Sequence, residues 1–242
     1  MKTIPIQGMW IGRELSTMEL LSINSYIKNG HEYHLYAYED IVNLPKGAML
    51  RNGNEILPES EIFSYSGQKI NGGGSVSAFS NFFRYKMLLE RGGYWSDTDM
   101  ICCKRLDFNN EYVFSSEHRD AGKHANAGLI KTPPHSEFAQ FAWGVCQTMD
   151  KSQLAWGTTG PKLVRELVDY LGMNDSVKSP NVFCPIRYQD WQMVLTPKAN
   201  ISIAEESYTI HLWNEMWRRN GVDKDANYHP DSLYEQLKKE YL

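Results

Sequence analysis

The sequence predicts an α/β domain with a mostly parallel central sheet flanked by helices, and three observations carry that reading. Short apolar stretches that alternate like strands are separated by segments with helical period, the opening runs strand–helix–strand, and glycines fall at the joints. A strand–helix–strand opening favours parallel pairing through a right-handed crossover. The 242 residues suffice for one such domain, spanning 1–242 with a helical tail over 225–242.

Each element follows from its residues. Ile4–Trp10 reads as the first strand. Ser16–Asn29 reads as a helix opened by a capping box, Ser16 with Glu19, and ended by Gly30. Glu32–Tyr38 alternates as a second strand. Residues 41–75 are richer in Gly, Pro, Ser and Asn and are expected as loops with a short strand. Gly72-Gly73-Gly74 lacks the Gly-Lys-Ser/Thr of a phosphate loop, so it is expected as a mobile lid or linker. Ser77–Arg91 is predicted as one helix, with Ser77 as its cap and Phe79, Phe82, Phe83, Met87 and Leu88 as its apolar stripe. Ser77, Asn81 and Arg84 share a face of it, where an arginine on a greasy helix needs a fixed partner: a neighbouring loop, or hydroxyls of a ligand. Tyr112–Ser116 and Leu129–Lys131 read as strands, Ser136–Met149 and Pro161–Leu171 as helices. In the tail, Leu233, Leu237 and Tyr241 form one stripe with Lys238 and Lys239 beside it. It is expected to pack on its own domain, with at most weak peripheral membrane contact.

Composition narrows the function. A net charge of −4 argues against a nonspecific nucleic-acid binder. No apolar run approaches the ~20 residues of a transmembrane helix, and the N-terminus lacks a signal-peptide pattern. Four cysteines, with Cys102 and Cys103 adjacent, do not read as a disulfide framework. The expected location is the cytoplasm.

The chemistry concentrates in Gly92-Gly93-Tyr94-Trp95-Ser96-Asp97-Thr98-Asp99. In an extended strand, carboxylates at i and i+2 point the same way and repel each other. A hard divalent ion removes that repulsion and leaves positions open for phosphates. A bare DxD is more often a solvated acidic turn, and the surrounding sequence lifts this one above it.

Ser80-Asn81-Phe82-Phe83-Arg84-Tyr85, Leu88-Leu89, Gly92-Gly93, Trp95, Asp97 and Asp99 resemble the core signature of the DXD-containing sugar-transferase family. That family includes capsular and lipopolysaccharide transferases and yeast initiating mannosyltransferases, and is related to the glucosyltransferase domains of large clostridial toxins. The resemblance continues in order through Ile4-Pro5 with Met9-Trp10-Ile11-Gly12, Asn126-Ala127-Gly128, Thr159-Gly160-Pro161 and His211-Leu212-Trp213. It implies a GT-A-type, Rossmann-like fold and a metal-dependent, retaining transfer of a hexose from a nucleotide sugar, UDP-hexose at Trp10. The acceptor would be a glycan or lipid-linked glycan of surface polysaccharide synthesis, met at the inner face of the membrane. It further implies Asp97, Asp99 and Arg84 as catalytic residues, and Mn²⁺ or Mg²⁺ at Asp97 and Asp99. Donor contacts are implied for Trp10, Ile11, Gly12, Asn81, Arg84, Trp95, Asp97, Asn126 and Trp213. His211 alone reads as a satisfied strand-end histidine; beside Trp213 it becomes a candidate for metal or diphosphate contact.

Two departures stand out. Asn81 occupies the place of an Asp expected to bond the donor sugar, which adds an NH₂ donor and removes a charge. Trp95 replaces a more frequent Tyr. A catalytically silent carbohydrate- or nucleotide-sugar-binding domain is therefore the alternative. A haloacid-dehalogenase-type phosphatase is disfavoured, because Gly-Gly-Tyr-Trp-Ser precedes the motif and Met100 follows it.

Overall fold

The computed structural model describes residues 4–68, 72–119 and 122–242. A six-stranded sheet runs through it in the order β3–β2–β1–β4–β7–β6. These strands are β1 (Ile6–Met9), β2 (Tyr33–Ala37), β3 (Ala48–Asn52), β4 (Gly93–Ser96), β6 (Val113–Arg119) and β7 (Gly122–Thr132). β1 pairs in parallel with β2 and β4, and β2 with β3; β7 runs antiparallel to both β4 and β6. The expected α/β class with a mostly parallel sheet is what the structure holds. The chain leaves β1 toward β2 and β3, then returns to the other side of β1 as β4. The sheet therefore has a switch point between β1 and β4, the place where open α/β sheets present ligand crevices.

Helices cover both faces. α1 (Thr17–Lys28) lies on one, where Tyr26 joins Leu35, Leu129 and Phe183 in a core. Its capping box is present: the Ser16 N–H donates to Glu19 Oε2 at 3.0 Å. α2 (Ser77–Arg91), α3 (Glu137–Thr148) and α4 (Leu163–Tyr170) share the other core, with Phe79, Phe83, Leu88, Phe138 and Val164 buried together. The expected stripe of α2 is buried throughout. Gly92 ends that helix at φ +63°, and a Cβ there would stand 2.4 Å from Pro134 N, so a larger residue cannot take its place.

A second, two-stranded sheet pairs β5 (Met100–Cys102) antiparallel with β8 (Thr209–His211), setting Met100 opposite His211. Behind it, α6 (Asn214–Asn220) and α7 (Leu233–Tyr241) close a third core around Trp191, Trp217 and Tyr234.

Four expectations are corrected. Ser77 does not cap α2: Val76 holds that position without a side-chain bond, and Ser75 Oγ donates to Ser77 Oγ at 3.0 Å. The strand expected over 129–131 is the end of the longer β7, drawn out by its hairpin with β6. Gly72-Gly73-Gly74 is tied rather than loose: Gly74 N–H donates to Tyr65 O at 2.9 Å, and Arg218 Nη1 to Gly73 O at 3.2 Å. The tail's buried stripe runs through Tyr234 and Leu237, while Lys238 is spent on Glu235 and the Ala226 carbonyl. Tyr241 donates to Cys102 O at 3.1 Å, which ties the tail to β5. Among the described residues no helix is long and apolar enough to cross a membrane.

Candidate active site

β4 ends at Ser96, and the chain then turns. The spacing suggests two carboxylates on an extended strand; instead Asp97–Met100 is a turn, closed by the Met100 N–H on Asp97 O at 3.2 Å. The turn is fixed from the neighbouring strand, since the Asp97 N–H donates to Gly128 O at 2.8 Å. β8 then brings in a third group. Ligand atoms of Asp97, Asp99 and His211 all lie within 4.8 Å of one another.

Asp97 is held from α2. Arg84 Nη2 donates to its Oδ1 at 2.6 Å, and Trp95 Nε1 donates to the same oxygen at 2.8 Å, which leaves Oδ2 for other partners. The other arm of the guanidinium, Nη1, donates to Asn81 Oδ1 at 3.0 Å, and the group lies 4.9 Å from the Trp95 ring centroid. Asn81 Nδ2 donates to Thr159 Oγ1 at 3.3 Å, so the Thr159-Gly160-Pro161 segment closes this network. Arg84 is only 3% exposed, and its Nε is buried without a partner. Its fixed partner is therefore Asp97. Both arms of the planar fork are thus bonded inside the protein, to Asn81 and Asp97. Trp95, at 1% exposure, likewise offers no surface and reaches the site through its N–H alone.

Asp99 is held from the C-terminal part. Its Oδ2 accepts the Asn214 N–H at 2.8 Å and faces His211 Nε2 at 3.2 Å; its carbonyl accepts the Leu212 N–H at 3.0 Å. Trp213, in left-handed backbone at φ +58°, stacks on His211 with ring centroids 3.8 Å apart and anchors its own N–H on Ile186 O at 2.9 Å. Non-glycine residues held in that conformation cluster at functional sites.

The two carboxylates differ electrically. Burial raises the Asp97 carboxyl above its ordinary value, Arg84 pulls it back, and the charge of Asp99 adds to the rise. Burial also opposes charge on Asp99, but the His211 ring and the Asn214 N–H overcome it and hold that carboxyl below the usual range. His211 is the counterpart: burial disfavours its proton, and Asp99 outweighs burial to raise it well above 6.5. Two carboxylates and an imidazole are a donor set that fits a divalent cation of the Mn²⁺ or Mg²⁺ kind, and repulsion between the two neighbouring carboxylates is what such an ion relieves.

The remaining residues divide. Trp10 follows β1 as Asp97 follows β4, so both stand at the carboxyl ends of adjacent parallel strands. Trp10 is half-buried, donates from Nε1 to Glu14 O at 3.0 Å, and has Lys224 Nζ 5.4 Å from its ring. Ile11 and Gly12 continue from it, Gly12 at φ +124°. Asn126 is 4% exposed, and its side chain bonds Ser115, the Gly128 N–H and Cys184. Asn214 and Cys184 were missed from sequence as site residues, since a backbone N–H and a buried thiol leave no spacing signature; Thr159 entered only within a resembling motif, without a role. All four cysteines are free thiols.

Residues 21–116 match the family described as the glycosyltransferase sugar-binding region containing the DXD motif. Residues 140–241 match the alpha 1,4-glycosyltransferase conserved region. A human relative, alpha-1,4-N-acetylglucosaminyltransferase, is 24% identical over 198 residues, covering 74% of this chain and 56% of that protein. The chain thus spans little more than half the length of that relative. Among solved structures, the PaToxG glycosyltransferase overlaps at a TM-score of 0.49 with 14% identity, covering 99% of this chain and 86% of that one. The glycosyltransferase GlyE of Streptococcus pneumoniae TIGR4 overlaps at 0.40 with 13% identity, covering 74% and 46%.

Proposed function

We propose, for a chain that carries the DXD-containing sugar-binding region of glycosyltransferases over 21–116 and the alpha 1,4-glycosyltransferase conserved region over 140–241, a metal-dependent hexosyl transfer from a nucleotide sugar to a glycan acceptor. The observation that carries the metal-dependent part is the convergence of Asp97, Asp99 and His211 beside the switch point of the sheet, with Trp10 on the adjacent strand end.

Each residue then has work suited to its surroundings. Asp97, Asp99 and His211 would hold Mn²⁺ or Mg²⁺, whose charge stabilises the leaving diphosphate. Trp10 offers a flat face for the base, uracil in a UDP-hexose. Arg84 and Trp95 keep Asp97 aimed, and Arg84 offsets part of the burial that opposes its charge, which is positioning. Asn81, linked to both Arg84 and Thr159, sets the floor on which the sugar rests. Retention of configuration, a glycan or lipid-linked glycan acceptor, surface polysaccharide synthesis and a cytoplasmic site of action complete the reading.

A donor panel with Mn²⁺, read as released nucleoside diphosphate, tests it. A UDP-hexose should be turned over, slowly to water and faster with the right acceptor, and EDTA should stop it. Release unchanged in EDTA would overturn the metal dependence; no release from any nucleotide sugar would leave the silent binding domain.

A further inference from the structure

We infer that Cys184 is the positioning residue of His211, and that Asn126 acts through it. The inference rests on the metal reading above only for what the ring is positioned toward. His211 has two ring nitrogens, and each has a partner: Nε2 faces Asp99 Oδ2 at 3.2 Å, and Nδ1 faces Cys184 Sγ at 3.8 Å. Asn126 Nδ2 donates to the same sulfur at 3.5 Å.

The direction of the Asn126 amide is fixed by its other end. Its Oδ1 accepts from Ser115 Oγ at 2.5 Å and from the Gly128 N–H at 3.2 Å, so the NH₂ must point away from them, at Cys184. The sulfur is fixed too. Cys184 is fully buried just after α5 (Pro180–Phe183), and its backbone N–H donates to Pro180 O at 2.7 Å. Next to it, Phe183 O accepts from Thr209 Oγ1 at 2.8 Å, which ties α5 to the strand carrying His211.

An acceptor at Nδ1 keeps the proton on that nitrogen and leaves the Nε2 lone pair for the side shared with Asp97 and Asp99. Ring tilt is set by Trp213 and ring rotation by the sulfur. The chain Ser115–Asn126–Cys184–His211 thus runs from β6 and β7 into the site, and it gives Asn126 a role other than a donor contact. Outer partners of ligating histidines are usually carboxylates or carbonyls. A thiol orients the ring while adding no formal charge to a site already holding two carboxylates.

The test compares wild type, Cys184→Ala and Cys184→Ser. In protein labelled with ¹⁵N-histidine and stripped of metal, the His211 Nδ1–H resonances should move in the alanine variant and return toward wild type in the serine variant. Asn126→Ser, which frees the sulfur without altering it, should give a smaller shift of the same sign, and serves if the alanine variant does not fold. Calorimetric Mn²⁺ affinity should fall about 10–100-fold in Cys184→Ala, with recovery in Cys184→Ser. Identical Nδ1 resonances in wild type and Cys184→Ala would overturn the inference, as would equal Mn²⁺ affinity in two folded proteins. Wild-type protein that binds no Mn²⁺ but shows the resonance changes would overturn the metal reading and leave the positioning intact.

Discussion

Asp97 and Asp99 stand one residue apart, yet opposite parts of the chain hold them. Asp97 is gripped by Arg84 and Trp95, from the helix and strand that lead straight into the turn. Asp99 is gripped by His211 and the Asn214 N–H, more than a hundred residues downstream. The first grip is a guanidinium fork buried with its partners, so Asp97 keeps that hydrogen bond whatever else binds. The second is a histidine, which can give up its proton and turn the same nitrogen toward a metal. The Asp97 side is built as scaffold and the Asp99 side as an exchangeable contact. The split falls between the two family matches, residues 21–116 and 140–241.

Breaking the Asp99 side should cost most in function. Asp99→Asn is expected to reduce nucleoside diphosphate release at least about 10²-fold, the scale of losing a preorganised charge at a transition state. Its unfolding curve should stay near wild type, because asparagine can still accept the Asn214 N–H. Near-normal turnover would show that Asp99 is not a ligand.

Breaking the scaffold should cost most in stability. Arg84→Met leaves Asp97 without its buried partner and Asn81 Oδ1 without a donor, and should cost about 3–5 kcal/mol by urea titration. Adding Asp97→Asn should recover part of it. Equal stability of Arg84→Met and wild type would mean that the ion pair is not what holds the turn.

How much of this was legible in the sequence divides along the same line. The Arg84 side is local: Arg84 and Asp97 stand thirteen positions apart, with the end of the helix, the double glycine and the strand between them, and the apolar stripe of α2 marked its buried face. Even so, the sequence left the partner of Arg84 open between a neighbouring loop and the hydroxyls of a ligand, and it is the carboxylate of the Asp97 turn that takes Nη2, at 2.6 Å. The Asp99 side is non-local. His211 attracted notice through its neighbour Trp213, but the β5–β8 register that sets Met100 against His211 is a long-range pairing with no local signal. Cys184 and Asn214 act through a buried thiol and a backbone N–H, which composition and spacing do not show.

A smaller effect is expected at the base. Trp10→Ala should weaken nucleotide binding by about 1–3 kcal/mol, the scale of base–aromatic stacking, without changing Mn²⁺ affinity. Unchanged UDP binding by calorimetry would move the base off this strand end.

The mildest probe is pH. His211 is raised well above 6.5 by Asp99, so a metal must displace its proton. Mn²⁺ affinity should therefore rise about tenfold per pH unit for as long as the ring is protonated, a range that extends above 6.5, and level off once the ring is neutral. In His211→Asn that slope should flatten. A pH-independent wild type would argue that the ring carries no proton to lose.

In the proposed reading the distant histidine completes a metal site begun by the DxD turn. Calorimetric titration of wild type and His211→Ala with Mn²⁺, at a pH where the wild-type affinity has levelled, tests this most directly. One site is expected in wild type and at least about a tenfold loss in the variant, on the scale of the loss of a metal-site partner. Equal affinity in the two proteins would contradict it.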